Sequence, residues 1–323
     1  MKLLVTGITG KVGANFLPAF LADDRFSGWS IRALCNNRLI DHPAVEALRG
    51  SLSDARAVAT AMNGVTHVLH MAAVKESPEL AMDVGVKGMF HLLEAFRVSP
   101  TAQQFVLISG DCTVGHIFHP YDSPVTEASL RRAYPGCYAL TKVLEEVMLE
   151  QYRIQYGVNG CCLRAPWIME KDDFRYVLSF DAQFGGPAWH ELLSDDDMAR
   201  HAAAEAVPLM RDANGTPLKR NFIHVADLVR AILAALGNPA AEGQLFNVAM
   251  DEPVDYGKVA DHLRSRGLPS VEIATPYHSN WLDNTKARLL LGWRPQIDLR
   301  QLIDSAWDYA RAPDDPRTVL YPG

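Results

Sequence analysis

Tyr138 and Lys142 stand four residues apart in Tyr138-Ala139-Leu140-Thr141-Lys142, near the start of a long helical pattern. On a helix that spacing puts both side chains on one face, one turn apart. A phenol has an ordinary pKa of about 10. An ammonium beside it favours the phenolate and draws that value toward neutrality. Such a tyrosine can take a proton from a secondary alcohol while hydride leaves the same carbon. The pair alone occurs by chance in many helices, so its meaning depends on a second motif at the N-terminus.

That motif is Thr6-Gly7-Ile8-Thr9-Gly10-Lys11-Val12-Gly13, which follows a short apolar run and opens a helical pattern. One glycine permits a tight strand-to-helix turn. One lets backbone N–H groups approach a pyrophosphate, and one lets the helix pack close to a sheet. The helix N-terminus adds free N–H groups and a favourable dipole for an anion. Dinucleotide binding is the expectation, and a purely structural turn is the alternative. An acid at the end of the second strand would hold the adenine ribose of NAD and repel the extra phosphate of NADP. Here that position is Cys35, followed by Asn36, Asn37 and Arg38. The missing acid, with Arg38 close by, tilts the coenzyme toward NADP over NAD; Arg38 reads equally well as a solvated surface residue.

The elements that must position these residues alternate. Strands are expected at 2–6, 29–35, weakly at 44–48, and at 66–70, 105–109 and 158–163. Helices are expected after Gly10 and at 54–62, 80–96 and 136–156. In the last of these, Leu140, Val143, Leu144, Val147 and Met148 recur at three- and four-residue spacing. This rhythm predicts an α/β fold: a doubly wound parallel sheet covered by helices, with a smaller C-terminal α/β substrate domain. The nucleotide domain is set at 1–166 and the mainly substrate-binding part at 167–323, with 222–248 free to return to the first. Residues 167–220 read as irregular. Asp195–Asp197 reads as a solvated turn or helix start rather than a metal site, and no metal is expected. Helices at 225–236, 256–266 and 285–291 and a strand at 245–248 follow.

The 323-residue chain is 48% hydrophobic with a net charge of −7, ordinary for a globular protein and poorly suited to a nucleic-acid backbone. The N-terminal apolar run is too short for a signal peptide, and no segment suits a membrane span. The five cysteines contain no CxxC pair, so free thiols in a reducing cytoplasm are expected.

Taken together, the glycine loop and the tyrosine–lysine pair make the chain resemble an extended short-chain dehydrogenase/reductase of the NAD-dependent epimerase/dehydratase family. Other segments carry the likeness: His70-Met71-Ala72-Ala73, Val86-Lys87-Gly88, Leu163-Arg164-Ala165-Pro166, Arg220-Asn221-Phe222-Ile223-His224, and Leu291-Gly292-Trp293-Arg294-Pro295. The resemblance implies a Rossmann fold, bound NAD(P) and a sugar-like small-molecule substrate. It also implies a homodimer through the helices at 80–96 and 136–156. It places Gly7, Thr9, Gly10, Lys11, Val12, Gly13, Arg38, Ser51, Leu52, Met71, Ala72, Ala73, Pro166, Tyr138 and Lys142 on the cofactor. Lys75, Thr113, Trp167 and Arg220 fall on the substrate side.

The departures matter. The family's catalytic Ser or Thr falls on Gly110 or Asp111 in Ser109-Gly110-Asp111-Cys112-Thr113. Asp111 is therefore a candidate catalytic residue, accepting a hydrogen bond from substrate, donating one if protonated, or merely forming a turn. A one-residue shift brings in Ser109, and a bulge brings in Thr113. Trp167 replaces an Asn common in nucleotide-sugar enzymes; it either stacks on a sugar or closes the core. Arg220 binds an anion or is a structural ion pair. Gly85 and Ser51 stand where the family usually has Asn and often has Asp. An epimerase or dehydrogenase of a sugar, nucleotide-sugar or sugar derivative leads. A non-sugar carbonyl reductase using NADPH, and an NAD(P)-sensing or scaffold protein, are the alternatives.

Overall fold

The order of strands in the main sheet decides where a ligand can enter. The computed structural model describes residues 1–180, 188–315 and 317. The first half runs β1 (Lys2–Thr6), α1 (Lys11–Leu21), β2 (Ser30–Cys35), β3 (Val45–Arg49), α2 (Ala55–Ala61) and β4 (His67–His70). Next come a short α3 (Pro78–Leu80), a π-helical stretch (Ala81–Lys87), α4 (Gly88–Val98), β5 (Gln104–Gly110), α5 (Cys137–Tyr156) and β6 (Gly160–Ala165). The second half holds β7 (Trp167–Met169), α6 (Asp173–Val177), α7 (Trp189–Leu192), α8 (Asp195–Ala203), β8 (Val207–Arg211), β9 (Lys219–Arg220) and β10 (Phe222–His224). It closes with α9 (Val225–Ala235), β11 (Leu245–Asn247), β12 (Val254–Asp255), α10 (Tyr256–Ser265), β13 (Ser270–Ala274), α11 (Thr285–Leu290) and α12 (Leu299–Asp308).

Seven strands form one sheet in the order β11-β6-β5-β4-β1-β2-β3, and every pairing in it is parallel. The chain builds outward from β1 to β3, then returns to lay β4 on the other side of β1. Open parallel sheets bind ligands at such a reversal, beyond the carboxyl ends of the strands. Leu3, Leu4 and Val5 are fully buried because both faces of β1 are covered. On one face Phe16, Phe20, Leu228 and Ile232 pack against the sheet. On the other, Val58, Leu92, Phe96 and Leu149 do so. A separate apolar cluster, with Phe174, Leu209, Phe222, Leu263 and Ile303, forms the interior of the second half.

Two expectations need amending. Residues 181–187 lie outside the described residues; among the rest, 167–180 and 188–220, the stretch 167–220 is not irregular. It holds β7 to β9 and α6 to α8, but its strands are short and pair with distant partners: β7 with β10, β9 with β12, β8 with β13. Pro208 inside β8 also weakens the strand signal. The single helix expected at 80–96 is interrupted by the π-helical stretch, which contains Gly85. Asp195–Asp197 form the first turn of α8, capped by Ser194.

Candidate active site

The glycine loop does three separate jobs. Gly7 has φ +75, and a Cβ there would lie 2.6 Å from the Ala72 backbone nitrogen. The loop can therefore lie against the end of β4 only with glycine at this position. Gly10 is the α1 N-cap without a side-chain hydrogen bond, so the first N–H groups of that helix remain available for an anion. A Cβ on Gly13 would fall 2.2 Å from the Ile8 carbonyl oxygen, so only glycine lets the first turn of α1 fold this closely onto the loop.

The loop borders a cavity of about 1090 Å³ that reaches from Asn36 and Ser51 at one end to Tyr138 and Trp167 at the other. Gly7, Thr9, Gly10, Lys11 and Val12 line it, as do Leu52, Met71, Ala72, Ala73 and Pro166. Its length, its glycine cradle and the free helix N-terminus fit an extended dinucleotide. Lys11 bridges to the second half of the chain, with Nζ 2.6 Å from Asp173 and 3.1 Å from the Ile168 carbonyl. Arg38 does not line the cavity. It folds back and donates to the Thr9 carbonyl, while Arg49 donates to the carbonyls of Asn36 and Asn37. Gly13 is likewise behind the wall.

Tyr138 and Lys142 both reach the far end of the cavity from the first turns of α5. Their electrostatics differ from the expectation. Burial pushes the Tyr138 phenol well above its ordinary value, and Cys112, Tyr134 and Glu145 push the same way. The Lys142 ammonium does not offset this. Its Nζ lies 2.7 Å from Glu145 Oε2 and 3.1 Å from the Ile108 carbonyl. The cation against Tyr138 is Lys75, 3.6 Å from the ring centroid. Lys75 is open to the cavity yet enclosed by protein, and burial lowers its pKa to about 8.

Ser109 borders the cavity, but both candidate hydroxyls are engaged by Glu146. Ser109 Oγ donates to Glu146 at 2.7 Å. Thr113 Oγ1 is shared between the Gly110 carbonyl at 3.0 Å and Glu146 at 3.1 Å. Thr113 is fully buried and does not border the cavity, so the structure gives no support to its placement on the substrate. Glu146 also holds Arg164 by two hydrogen bonds, at 3.1 and 2.8 Å, and Arg131 at 2.9 Å. Burial alone would raise the Glu146 pKa; Arg164, Ser109 and Arg131 outweigh it and hold the carboxyl below its ordinary value.

Asp111 does border the cavity, at the start of the 3-10 turn after β5. Its Oδ2 lies 2.6 Å from His116 Nδ1. Arg220 sits one layer back, buried and outside the lining. Its Nε donates to His116 Nε2 at 2.8 Å, and its guanidinium carbon lies 3.5 Å over the Trp167 ring. Trp167 lines the cavity and stacks on His116 at 5.9 Å. Sequence reasoning missed His116 because it lies in a loop, at φ +50, outside any periodic pattern. It also missed Glu145, although a residue three positions after Lys142 on a helix is a natural partner.

Comparison with known proteins agrees with this geometry. The model of the NAD dependent epimerase/dehydratase family matches residues 3–169. A UDP-glucose 4-epimerase of Mycolicibacterium smegmatis is 27% identical over 96% of this chain and 99% of its own. A 3 beta-hydroxysteroid dehydrogenase/Delta 5-->4-isomerase of Mycobacterium tuberculosis is 32% identical, covering 95% of this chain and 90% of its own. A short-chain dehydrogenase/reductase superfamily protein of Agrobacterium tumefaciens, solved with bound NAD, superposes with a TM-score of 0.77 at 26% identity. That match covers 95% of this chain and 96% of the other. The chain belongs to the NAD dependent epimerase/dehydratase family and is an NAD(P)-dependent enzyme.

Proposed function

We propose that this enzyme interconverts a secondary alcohol and a ketone on a sugar, nucleotide-sugar or sugar derivative, as an epimerase or a dehydrogenase. The observation that carries the reading is the convergence of Tyr138, Lys142 and Asp111 at one end of a cavity whose middle is the glycine loop. The similarity to UDP-glucose 4-epimerases supports the substrate class. A bound nicotinamide supplies hydride exchange at the substrate carbon. Gly7, Gly10 and the start of α1 hold the phosphates, Ser51 and Leu52 border the adenine end, and Pro166 and Lys142 border the nicotinamide end. Tyr138 moves the proton at the substrate oxygen: its neutral phenol gives a proton to a ketone, and its phenolate takes one from an alcohol. Lys75 and Trp167 complete the substrate end. Arg220 acts from behind Trp167 and His116.

The coenzyme we favour is NADP, because no acid follows β2 and Arg38 and Arg49 both stand at that edge. We also divide the chain functionally into 1–166 for nucleotide and 167–323 mainly for substrate. A homodimer through α4 and α5 is supported by their outer faces. The apolar stripe of α5 is only half-buried, with Leu140 49% exposed, and Phe90 of α4 is 47% exposed. All five cysteines are free thiols, which supports a cytoplasmic setting. Among the described residues no helix is long and apolar enough to cross a membrane.

A non-sugar secondary alcohol is the second reading. It is favoured by the steroid dehydrogenase relative and by Trp167 in place of a polar residue. Gentle denaturation of the purified protein, with identification of the released nucleotide, tests the main reading. Tightly held NAD near one per chain supports a hydride-recycling epimerase and overturns NADP. An empty protein stabilised by added coenzyme supports a dehydrogenase, with the better stabiliser naming the coenzyme. No binding of either nucleotide refutes the assignment. A Tyr138→Phe variant that keeps nucleotide binding but loses turnover excludes a sensor or scaffold role.

A further inference from the structure

Asp111 is one end of a buried chain of hydrogen bonds whose direction can be read. A guanidinium has five N–H donors and no acceptor. At 2.8 Å from Arg220 Nε, His116 Nε2 must therefore offer its lone pair. A neutral imidazole with a free lone pair on Nε2 carries its hydrogen on Nδ1. That hydrogen lies between Nδ1 and Asp111 Oδ2, atoms 2.6 Å apart. Every hydrogen in the chain points toward Asp111. An imidazolium is excluded, because it would put two donors face to face at Nε2. Burial, the largest influence on His116, also disfavours its charged form.

The surroundings lock this arrangement. His116 stacks on Trp167 with 25° between the rings, and Arg220 lies on the same indole. The His116 amide donates to the Asp111 carbonyl at 3.1 Å, and its own carbonyl accepts from Asn280. The other titratable groups facing Asp111 and His116 are Cys112, Tyr134 on the preceding loop, and Tyr138 on α5. Tyr256 and Tyr277 face Arg220 from the far side. Among the described residues, Asp111 Oδ1 has no protein donor, and Asp111 borders the cavity.

We propose that His116, fixed in its Nδ1–H tautomer by Arg220, is a positioning residue. It holds Asp111 through Oδ2 and leaves Oδ1 free of protein donors at the cavity, where it meets a substrate hydroxyl. This rests on the reading of the cavity as the alcohol–ketone site, and it narrows that reading. Asp111 Oδ2 sits at the end of two aligned donors, Arg220 Nε–H and His116 Nδ1–H, so Oδ1 is the atom left for a substrate hydroxyl. A ketone oxygen meets the Tyr138 phenol instead.

The test is the tautomer itself, read by long-range proton–nitrogen NMR on the full-length protein with ring-labelled histidine. His116→Gln assigns the signal, and the shift that Asp111→Asn imposes on its Nδ1–H assigns it independently. The expected result is a pyrrole-type Nδ1 and a pyridine-type Nε2, unchanged from pH 5.5 to pH 9. Arg220→Lys, which keeps a donor, should preserve that pattern; Arg220→Met, which has none, should release the ring to titrate or exchange tautomers. An imidazolium signal in the wild type, a hydrogen on Nε2, or no response to Arg220→Met in a folded protein overturns the proposal. Nucleotide binding is measured on the same sample. Its absence would sink the enzyme reading while leaving the tautomer result intact, so the two can fail separately.

Discussion

Replacing Glu146 by alanine should cost more stability than any other single change near the site. Glu146 and Arg164 are 2% and 1% exposed, and their two hydrogen bonds span 2.8 and 3.1 Å. Removing one partner of a buried ion pair leaves the other charge dehydrated and uncompensated, which costs about 3–5 kcal/mol. For a chain of this size that corresponds to a fall in Tm of roughly 6–15 °C. Ser109 loses its acceptor and Thr113 one of its two in the same change, so the estimate lies toward the upper end. The pH dependence has a definite sign. Because the folded-state pKa is depressed, the Glu146 contribution is complete above the ordinary carboxylate value of 4.5 and disappears as pH falls through the folded value. Urea unfolding followed by circular dichroism at pH 7 and at pH 4 should show a gap between wild type and Glu146→Ala that narrows in acid. Replacing Arg164 by Met in the same chain should recover part of the loss. A Glu146→Ala protein within about 1 kcal/mol of wild type at pH 7 would refute the reasoning, since no buried cation left alone is that cheap.

Gly13→Ala should abolish nucleotide binding in any protein that still folds, because the new Cβ meets the Ile8 backbone at 2.2 Å and must push the glycine loop and α1 apart; calorimetric titration with NAD and NADP checks it. Ser109→Ala and Thr113→Val should each leave turnover within roughly threefold while costing about 1 kcal/mol, since both hydroxyls serve Glu146; a hundredfold loss of turnover in either would put that hydroxyl back in the chemistry. Lys75→Met should be more stable than wild type at pH 7 and bind substrate more weakly. Between pH 8 and 10.5 the unfolded chain holds the Lys75 proton and the folded one releases it, so wild-type stability gains with pH in that window and the variant's does not. A variant less stable than wild type at pH 7 would contradict this.

The parts of the fold that the sequence made legible are those with strong local signals. The apolar run before Gly7, the glycine spacing and the alternation of strands and helices up to β6 depend only on neighbours in the chain. The α12 helix was equally readable after the fact, since Asp298 and Gln301 form a capping box before Leu302 and Ile303. The β8–β13 and β7–β10 pairs were not, because their meaning lies in partners far along the chain. In the site, Tyr138 and Lys142 announced themselves by type and spacing. Asp111 was visible as a gap in a pattern. Its partner His116 was hidden, because a buried loop histidine has no periodicity to betray it. The outward turn of Leu140 on α5 was hidden too: the face of α5 that meets the sheet carries Lys142, Glu145 and Glu146, so polarity ran opposite to the usual rule.

That inversion has a consequence for the proton at Tyr138. The Gly85 position has no side chain, and a Cβ there would stand 3.4 Å from Glu145 Oε1 and 3.3 Å from Thr141 Cβ. The π-helical stretch thus leaves room for Glu145 to reach Lys142 and take up its charge. Two effects on Tyr138 then add: burial disfavours the phenolate, and the nearby Glu145 carboxylate repels it. Both favour the proton-donating form, which is the form a ketone needs. Glu145→Gln removes the repulsion and keeps a hydrogen-bonding side chain of the same size. In alcohol oxidation, where the phenolate is the active form, the rising acid-side limb of the rate profile should move to lower pH, with kcat at neutral pH rising. In ketone reduction, where the phenol is active, the same variant should lose activity at a lower pH than wild type. An unshifted profile in both directions would mean that Glu145 is neutral beside Lys142, and that Lys75, not the Lys142–Glu145 pair, sets the charge at the phenol.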